Sequence, residues 1–522
     1  MDRKSAVLDE FGKPFVHMNG KPRPELLRAL QESRPIPQKV KATYDAARTT
    51  TDNANHWANS DALDADSANS MAVRHTLMRR SRHENGSNGI YSGIINTHVN
   101  MLIGVGPTLR MLTGNRSFNQ LIERDFYDFA LRIMLNEKLW CMGHARTQDG
   151  EALGILQNNP AFEDRVQLDL MLIEGEQCQT PHLPVFNAGY IDGIKTDEYG
   201  NIVHYDILPT HPGSAQTFLA NLEPIRVAPQ SVLHWFKMTR PGEHRSAPPL
   251  TSTLNLGAGH RRFREATIAA AETSADLNVV ATTQQSPDIA ADPMAPFSTI
   301  PIQKRMLTVS PMGWDLKHFA SEHPNATYND FNRANISELA SPLGQPFNVA
   351  AKDSSTYSFA SGKLDFLAYK VALNVERQDC ARRVLDPLFA AWFREWTILT
   401  DRRDIPPSHQ WDWPAHPVID AVAESTAEDM QLRNGTKSLR QAYSDRGADF
   451  EDQLAVMAED YFGDTSEKSI SEMRSILLRT HYPAAAPAPA AAPAADQQVA
   501  EAMKQLRAVN ARLSQLESHV KA

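Results

Sequence analysis

The chain has 522 residues, a length that suggests three or four structural units. Its composition, 42% hydrophobic and 22% charged residues, is ordinary for a globular protein. A net charge of −9 excludes a general basic surface for nucleic acid, and the acidity is uneven, since residues 401–480 hold 16 Asp and Glu against 9 Lys and Arg. Three cysteines exclude a disulfide framework and fit a reducing cytoplasm, and we expect neither a secretory leader nor a membrane-spanning segment.

The first half of the chain passes from a proline-rich start to helices and then to strands. Residues 1–42 contain five prolines among scattered charges, which predicts a flexible N-terminal arm. Residues 43–253 form the next unit. Apolar residues at three- and four-residue steps predict helices in it over 68–82, 90–103 and 117–140. Alternating Val166, Leu168, Leu170 and Leu172 then begin a β-rich part, with hairpins to about residue 237.

Several residue groups in this half could be taken for catalytic or metal sites. Four carboxylates lie near the start of the β-rich part, but no histidine stands at a spacing that argues for metal or acid–base chemistry, so we favour turn and strand-edge roles for Asp149, Glu151, Asp169 and Glu174. Cys141-x-x-His144 is half of a metal motif and is interpreted as structural. No P-loop, HExxH, GxSxG or paired CxxC occurs, so we predict no catalytic residue, metal or cofactor.

A helix predicted over 254–278 has a stripe of small side chains. Ala266, Ala270, Ser274 and Ala275 share this face, and small residues let neighbouring helices approach closely. Five prolines follow between residues 279 and 323, with short strands predicted over 305–309 and 314–319. On composition alone, that region is a Pro-rich linker.

The segment 324–400 reads as a helix, a polar loop and a long helix. Tyr328, Phe331, Asn335 and Leu339 recur at helical steps within 324–341, and a polar loop occupies 342–362. The long helix, 363–400, is expected to kink just before Pro387, which lacks an N–H and clashes with the preceding turn. One broad apolar stripe follows it: Leu364, Leu367, Val371, Val375, Leu385, Leu388, Trp392 and Trp396. On pattern alone, an ordinary helical hairpin with a flexible loop is the simpler interpretation.

The remainder is predicted to be helical with a linker near its end. Residues 401–480 form a helical region, and 481–496 form a Pro/Ala linker. Over 497–522, apolar residues at heptad-like steps predict a short coiled-coil-like helix that associates only when many copies are brought together.

Motifs spread along the chain resemble the lambda-like family of tailed-bacteriophage portal proteins. The resemblance is most specific around the polar loop and is weaker at Tyr44-Asp45, His234-Trp235, Arg240-Pro241-Gly242 and Trp411-Asp412-Trp413-Pro414. Near the loop it rests on Pro324, Asn325, Tyr328, Phe331, Leu343, Gly344, Asp353 and the run Tyr357 to Ser361, where Phe359 replaces the serine expected in a Tyr-Ser-Ser core.

The resemblance implies an α+β portal fold and gives each region a name. Residues 43–253 would be a mixed α/β wing, 254–278 and 324–341 the two stem helices, and 279–323 a small β-containing clip. Residues 342–362 would be the tunnel loop, 363–400 the long kinked wing helix, and 401–480 the C-terminal wing or crown.

The resemblance also implies residues that face DNA. In the tunnel loop the channel-facing candidates are Lys352, Asp353, Ser354, Ser355, Thr356 and Tyr357, with Lys352 making weak contacts to the DNA backbone. In the stem the second-rank candidates are Arg261, Arg262, Arg264, Asn335 and Glu338, for which a solvated helix surface is the plainer explanation.

By resemblance, the function is that of a homo-oligomeric ring, expected to be a dodecamer, at the unique capsid vertex. Its implied partners are the terminase large subunit, the major capsid and scaffolding proteins, head-completion or tail adaptor proteins, and double-stranded DNA passing non-specifically, but no membrane. It would act in the virion and assemble in the host cytoplasm. Two alternatives stay open: an oligomeric scaffold or adaptor without a DNA channel, and a metal-dependent hydrolase that uses the acidic clusters.

Overall fold

The computed structural model describes residues 50–51, 54–58, 60–180, 189–215, 223–275, 279–283, 314–318, 328–399, 407–416, 420–482, 503–509 and 511–512. Two compact units are distinguished, Met1–Leu63 and Asp64–Ala522. In the first unit, the described residues include a turn over 54–58. All helices and strands given below belong to the second. The expected arm over 1–42 and most of the Pro/Ala linker lie outside the described residues.

Helices open the second unit: α1 (Ala65–Ala68), α2 (Met71–Ser87), α3 (Gly89–Ile103), α4 (Arg116–Arg132) and α5 (Leu135–Asp149). Asn88 caps α3, because its side chain accepts hydrogen bonds from the backbone N–H groups of Ile90 and Tyr91. The helices predicted over 68–82 and 90–103 are confirmed, but the single helix predicted over 117–140 is wrong. Met134 has a φ of 52°, a left-handed conformation that separates α4 from α5.

Small antiparallel sheets form the β-rich part. The strand β2 (Glu151–Asn158) lies between β3 (Leu168–Ile173) and β8 (Val232–Phe236). A second sheet has the order β4 (Tyr190–Ile191), β5 (Ile194–Thr196), β6 (Ile202–Ile207) and β7 (Ile225–Val227). Two further pairs join distant segments, β1 (Thr108–Met111) with β11 (His409–Asp412) and β9 (Val279–Thr283) with β10 (Trp314–His318). The mixed helical and antiparallel-sheet character expected from the sequence is therefore confirmed.

Two helices, α6 (Leu254–Ala275) and α7 (Tyr328–Ala340), pack on each other through aromatic and polar contacts. The ring of Phe263 lies 6.0 Å from that of Tyr328 and 4.8 Å from that of Phe331. The Nε2 atom of the buried His260 lies 2.7 Å from the side-chain oxygen of Asn332. Both helices were predicted, as was the strand near 314–319, whereas the strand predicted over 305–309 lies outside the described residues.

The long helix consists of α9 (Phe359–Cys380) and α10 (Asp386–Leu399), joined by a π-helical turn over Ala381–Leu385. Within this turn the N–H of Asp386 bonds the carbonyl of Ala381, five residues earlier. Because Pro387 lacks an N–H and its ring would clash with the carbonyl four residues earlier, a wider turn is favoured just before it. A π-helical turn therefore occupies the position at which the kink was predicted.

The apolar stripe predicted along the long helix has a different environment in each half of the helix. In α10 the stripe is in the core, since Leu388 and Trp392 are at most 1% exposed. In α9 the same stripe faces outward, with Leu364 at 68% and Val371 at 64% exposure. The core face of α9 lies on the opposite side of the helix and consists of Tyr369, Leu373, Glu376, Arg377 and Cys380.

The C-terminal helices α11 (Ala421–Arg433), α12 (Leu439–Ser444), α13 (Phe450–Phe462) and α14 (Glu467–His481) share a core of their own. The main core lies between α3, α4, α5 and the long helix, where the ring of Phe126 is 5.1 Å from that of Trp392. Arg110 links the two cores, donating to Asp412 at 3.2 Å and to Asp449 at 2.8 Å. Residues 503–509 and 511–512 are also helical.

Candidate functional site

The predicted polar loop is a structured connection between α7 and α9. A 3-10 turn over Ser341–Leu343 ends at Gly344, whose φ of 64° reverses the chain. The short helix α8 (Phe347–Ala350) follows, and Ser358 then caps α9 by accepting a hydrogen bond from the N–H of Ser361 at 3.2 Å. The loop boundaries 342–362 are therefore corrected, since α9 already begins at Phe359 because of this cap.

The tip of the loop is an exposed, hydrogen-bonded turn. Lys352 has a φ of 55°, and the carboxylate of Asp353 accepts a hydrogen bond from the N–H of Ser355 at 2.9 Å. Hydrogen bonds from Ser355 lower the pKa of the Asp353 carboxyl below its ordinary value. The predicted tip residues Lys352, Asp353, Ser354, Ser355 and Thr356 are exposed, and Tyr357 is half-buried.

The tip therefore offers one cation, one anion and several hydroxyls to solvent. These groups can make weak, sequence-independent contacts with a phosphate backbone, because single Lys–phosphate contacts carry no base information.

The stem candidates occupy three different environments. Arg261 donates to the carboxylate of Glu84 on α2 at 3.0 Å, which ties the start of α6 to the core. Arg262 and Glu338 are exposed, and Arg264 is half-buried. Asn335 is buried, and its amide donates to the carbonyl of Phe331 in its own helix at 2.9 Å. Its burial argues against a contact with DNA in this conformation.

One exposed face of α9 carries no charge. Leu364, Leu367, Val371 and Val375 are between 48% and 68% exposed and follow one another at three- and four-residue steps. All other exposed residues of α9 between positions 364 and 378 are also uncharged: Ala368, Asn374 and Gln378. We call these seven residues the outer face of α9. An uncharged helix face of this length next to a polar loop is typical of a protein–protein contact.

A buried polar network holds the opposite side of α9 in place. His98 on α3 contacts the hydroxyl of Tyr369 at 3.0 Å and the carboxylate of Glu376 at 3.2 Å, and Arg146 lies 3.1 Å from the same carboxylate. Burial would raise the pKa of Glu376, but the charge of Arg146 and the hydrogen bond with His98 outweigh it and lower the pKa to about 2. The network fixes which way α9 faces.

The carboxylates singled out in the sequence do not come together as a site. Asp149 pairs with Arg82 at 2.9 Å, and Asp169 with Lys138 at 2.8 Å. Glu151 is fully buried and bonds Arg245 and His234. Each carboxylate thus neutralises a cation within the fold, which is a structural role. The other half-motif is also structural in its contacts, since the ring of His144 stacks on Trp140 at 5.3 Å.

A different trio, Glu174, Glu176 and His211, has ligand atoms within 4.8 Å of one another and could hold a metal ion. The guanidinium of Arg82 already reaches both carboxylates, at 3.1 Å from Glu174 and 2.6 Å from Glu176. Arg82 is shared with Asp149, and Arg79 lies 3.9 Å from Glu176, so the trio is part of a salt-bridge network around these cations. Among the described helices, none is both long and apolar enough to cross a membrane.

Sequence reasoning missed Arg333, which lies on α7 beneath the loop and contacts the rings of Phe347 and Tyr357. The signal that could have found it is its position two residues before Asn335. A spacing of two residues places it on a different side of α7 from Asn335.

Comparison with known families decides the identity. The family described as "Phage portal protein, lambda family" matches residues 51–377, more than half of the chain. The chain belongs to this family. The match confirms the resemblance seen in the sequence, and it includes the loop and nearly all of the outer face of this portal-family chain.

Relatives and solved structures with likeness to this portal-family chain were also found. The "Probable portal protein" of Halomonas phage phiHAP-1 is 22% identical over 455 residues, covering 80% of this chain and 86% of the relative. A chain from "Virion of native gene transfer agent (GTA) particle" is 12% identical with a TM-score of 0.43, covering 72% of this chain and 93% of that one. A chain from "Neck of native GTA particle computed with C12 symmetry" is 13% identical with a TM-score of 0.42, covering 73% and 94%.

Proposed function

We propose that this portal-family chain closes with identical copies into a ring, expected to hold twelve, whose central channel passes double-stranded DNA during packaging and ejection. The observation that carries the proposal is the pairing of two features on one element. The outer face of α9 is uncharged and mostly apolar, and the hydrophilic loop stands at the N-terminal end of the same helix. A ring subunit needs both a surface for its neighbour and a surface for the channel.

The outer face of α9 supports the ring part of the proposal. Four aliphatic side chains in a row, each about half or more exposed, would be costly to leave in water. In a ring, each subunit meets its two neighbours through two different surfaces, so this face would contact another surface of the next copy rather than itself. Removal of these side chains from water would stabilise the closed ring.

The loop and the charge balance support the channel part. Lys352 offers one cation, Asp353 holds an anion beside it, and the whole chain carries −9. Each phosphate that a protein neutralises adds salt-dependent affinity, so a surface with few free cations lets a duplex slide. We propose that Lys352 makes weak backbone contacts while Ser354, Ser355, Thr356 and Tyr357 line the opening. Of the stem candidates, the exposed Arg262 and Glu338 and the half-buried Arg264 are the ones open to a channel role.

The remaining regions are assigned by family membership. Residues 43–253 would be the wing, α6 and α7 the stem helices, and 279–323 the clip. Residues 342–358 would hold the tunnel loop, 359–399 the long wing helix, and 401–480 the crown region. We propose that the ring sits at the capsid vertex, assembles in the host cytoplasm with scaffolding and major capsid proteins, and docks the terminase large subunit and later the head-completion or tail adaptor proteins. No catalytic role is assigned to the chain, so the terminase would supply the energy for DNA movement.

Mass measurement and negative-stain imaging of the purified chain test this proposal. We expect rings with a central opening wide enough for a DNA duplex. Val371→Asp should abolish the rings because it places a charge in the subunit contact, whereas Val203→Asp should leave them intact, since Val203 is 49% exposed on β6, away from α9.

The outcomes separate the alternatives. Rings without an opening would favour a scaffold or adaptor, and a monomer with metal-dependent turnover would favour a hydrolase. If rings form and Lys352→Ala leaves packaging and DNA retention unchanged, the role of Lys352 is wrong while the ring stands.

A further inference from the structure

The position of the loop depends on one side chain that does not belong to it. Arg333 projects from α7 toward the returning chain and is half-buried. The centre of its guanidinium lies 4.7 Å from the ring centre of Phe347 and 5.5 Å from that of Tyr357. One of its N–H groups donates to the hydroxyl of Thr356. Three contacts on the two ends of the loop therefore meet at a single cation.

The two rings that contact Arg333 belong to opposite ends of the loop. Phe347 starts α8 and is buried, while Tyr357 comes just before the cap of α9. Their planes differ by only 9°, with centres 6.5 Å apart. A guanidinium is planar and weakly hydrated, so it can lie against an aromatic face and still donate hydrogen bonds from its edge. Lysine has the same charge but neither property.

The tip between these two ends is held together by its own hydrogen bonds. The N–H of Ser355 donates to Asp353, and the N–H of Tyr357 donates to the carbonyl of Ser354 at 3.1 Å. Fixing Phe347, Thr356 and Tyr357 therefore fixes the direction of the whole tip.

We propose that Arg333 is the positioning residue of the loop: it clamps Phe347, Thr356 and Tyr357 to α7 and so sets where Lys352 points. The two cations then have different roles. Arg333 acts on the protein and holds the loop, whereas Lys352 stays exposed on the tip. Since Arg333 sits on α7, any rotation of that helix carries the tip with it. The clamp itself rests on contacts within one chain, and only its meaning for DNA rests on the proposed function.

Two measurements on the purified full chain test the clamp without DNA. The first is hydrogen exchange of the peptide that spans 347–361, and the second is the rate of tryptic cleavage after Lys352 under native conditions, where cleavage follows the population of the open loop. Arg333→Ala should raise both rates by about tenfold, the change expected when contacts of this type are lost. Arg333→Lys should give an intermediate increase.

Matched variants keep the test sharp. Tyr357→Phe retains the ring and should behave as wild type, whereas Tyr357→Leu should resemble Arg333→Ala. Arg382→Ala removes an equal charge from an exposed site that pairs with Asp379, and it should change neither rate. Exchange in α3 should stay at the wild-type level in every variant, which shows that the fold is intact.

If Arg333→Ala leaves exchange and cleavage at wild-type rates, the clamp is refuted even where rings and DNA passage are demonstrated. If the rates rise as expected but no channel is found, the clamp stands and the proposed function fails. The same increase in Arg382→Ala would also overturn the clamp, because the effect would then be one of net charge.

Discussion

The two halves of the long helix carry the same pattern of apolar residues and use it in opposite ways. In α10, Leu388, Phe389, Trp392 and Phe393 are at most 1% exposed and pack among the aromatic side chains of the main core. In α9, the residues that continue this stripe form the outer face, with Leu364 at 68% exposure. The same apolar periodicity therefore marks a buried face in α10 and an exposed face in α9.

The π turn between the halves accounts for the difference. A turn closed by bonds to the fifth residue holds about one residue more than an α-helical turn, so the residues beyond it are rotated by about a quarter of a turn relative to a regular helix. The stripe of α10 is thereby turned into the core while that of α9 points away from it. Pro387 lies two residues after the turn and removes the N–H that a regular helix would use there.

Deletion of a single residue should have the largest effect, and the effect should depend on whether the residue lies in α9 or in the π turn. Deleting Asn374 from α9 rotates its preceding residues by about 100° relative to the rest of the helix, which would move Tyr369 and Leu373 out of the core. We expect the loss of cooperative unfolding, monitored by circular dichroism in urea, because several buried side chains lose their partners together.

Deleting Arg382 from the π turn should be tolerated when it is combined with Pro387→Ala. The deletion converts the turn to a regular α-helical turn and leaves both halves facing as they do now, and the second change removes the clash that the wider turn avoids. If this double change unfolds the chain as completely as the deletion of Asn374, the π turn does not set the orientation of the two halves.

Glu376→Ala is expected to destabilise the fold by about 3 to 5 kcal/mol, because it leaves Arg146 and His98 buried beside α9 without their anionic partner. The free energy of unfolding in urea at neutral pH measures this. A variant of the same helix with an exposed polar residue, Gln378→Ala, should stay within about 0.5 kcal/mol of wild type.

The carboxylate of Glu376 also makes the stability of the fold depend on pH in the acidic range. The pKa of Glu376 is lowered to about 2 from an ordinary value of 4.5, so the unfolded chain binds a proton at a higher pH than the folded chain does. Its contribution to stability is present above the ordinary value and is lost as the pH falls from there toward 2. Glu376→Ala should therefore flatten the stability curve in this window, and an unchanged slope would contradict the assignment.

Much of the fold followed from local patterns. The helices α3, α6 and α7 and the strand β3 were predicted, because each has caps or periodicity that do not depend on distant residues, whereas β2, which opens the β-rich part, was not predicted. The break at Met134 could not be predicted, since its left-handed conformation has no local signal in a methionine. The exposure of the α9 stripe could not be predicted either. Periodicity locates an apolar face but does not say whether it meets the chain's own core.

In the candidate site, too, features set by the local sequence were predicted and features set by packing were missed. The exposed tip from Lys352 to Thr356 was predicted, because polar residues between two helices indicate a loop. Arg333 was missed, since its role depends on two rings, Phe347 and Tyr357, that only the folded chain brings beside it. The placement of Asn335 in the core likewise depends on packing that a helical period alone does not determine.

Two leucines of the same stripe, one in each half of the long helix, allow the two halves to be compared by the free energy of unfolding. Leu388→Ala in α10 should destabilise the monomeric chain by about 2 to 3 kcal/mol, because it leaves a cavity in the main core. Leu364→Ala in α9 removes the same atoms from an exposed site and should change the unfolding free energy by less than about 0.5 kcal/mol. Comparable losses in urea unfolding would show that the outer face is covered within a single chain.

The smallest expected effect lies at the start of α10, where Asp386 bonds His409 on β11 at 3.3 Å. This hydrogen bond raises the pKa of His409, so it stabilises the fold below the ordinary value of 6.5 and the contribution is lost as the pH rises through the raised value. Because Asp386 is nearly half exposed, Asp386→Asn should cost no more than about 1 kcal/mol at about pH 6 and less at about pH 8, where the change mainly weakens the hydrogen bond that Asp386 accepts from the Trp411 indole. Unfolding in urea at the two pH values measures this difference.

His416 provides the control: burial and the charge of Arg377 lower its pKa to about 4, so it stays neutral over this range and His416→Gln should leave the slope unchanged.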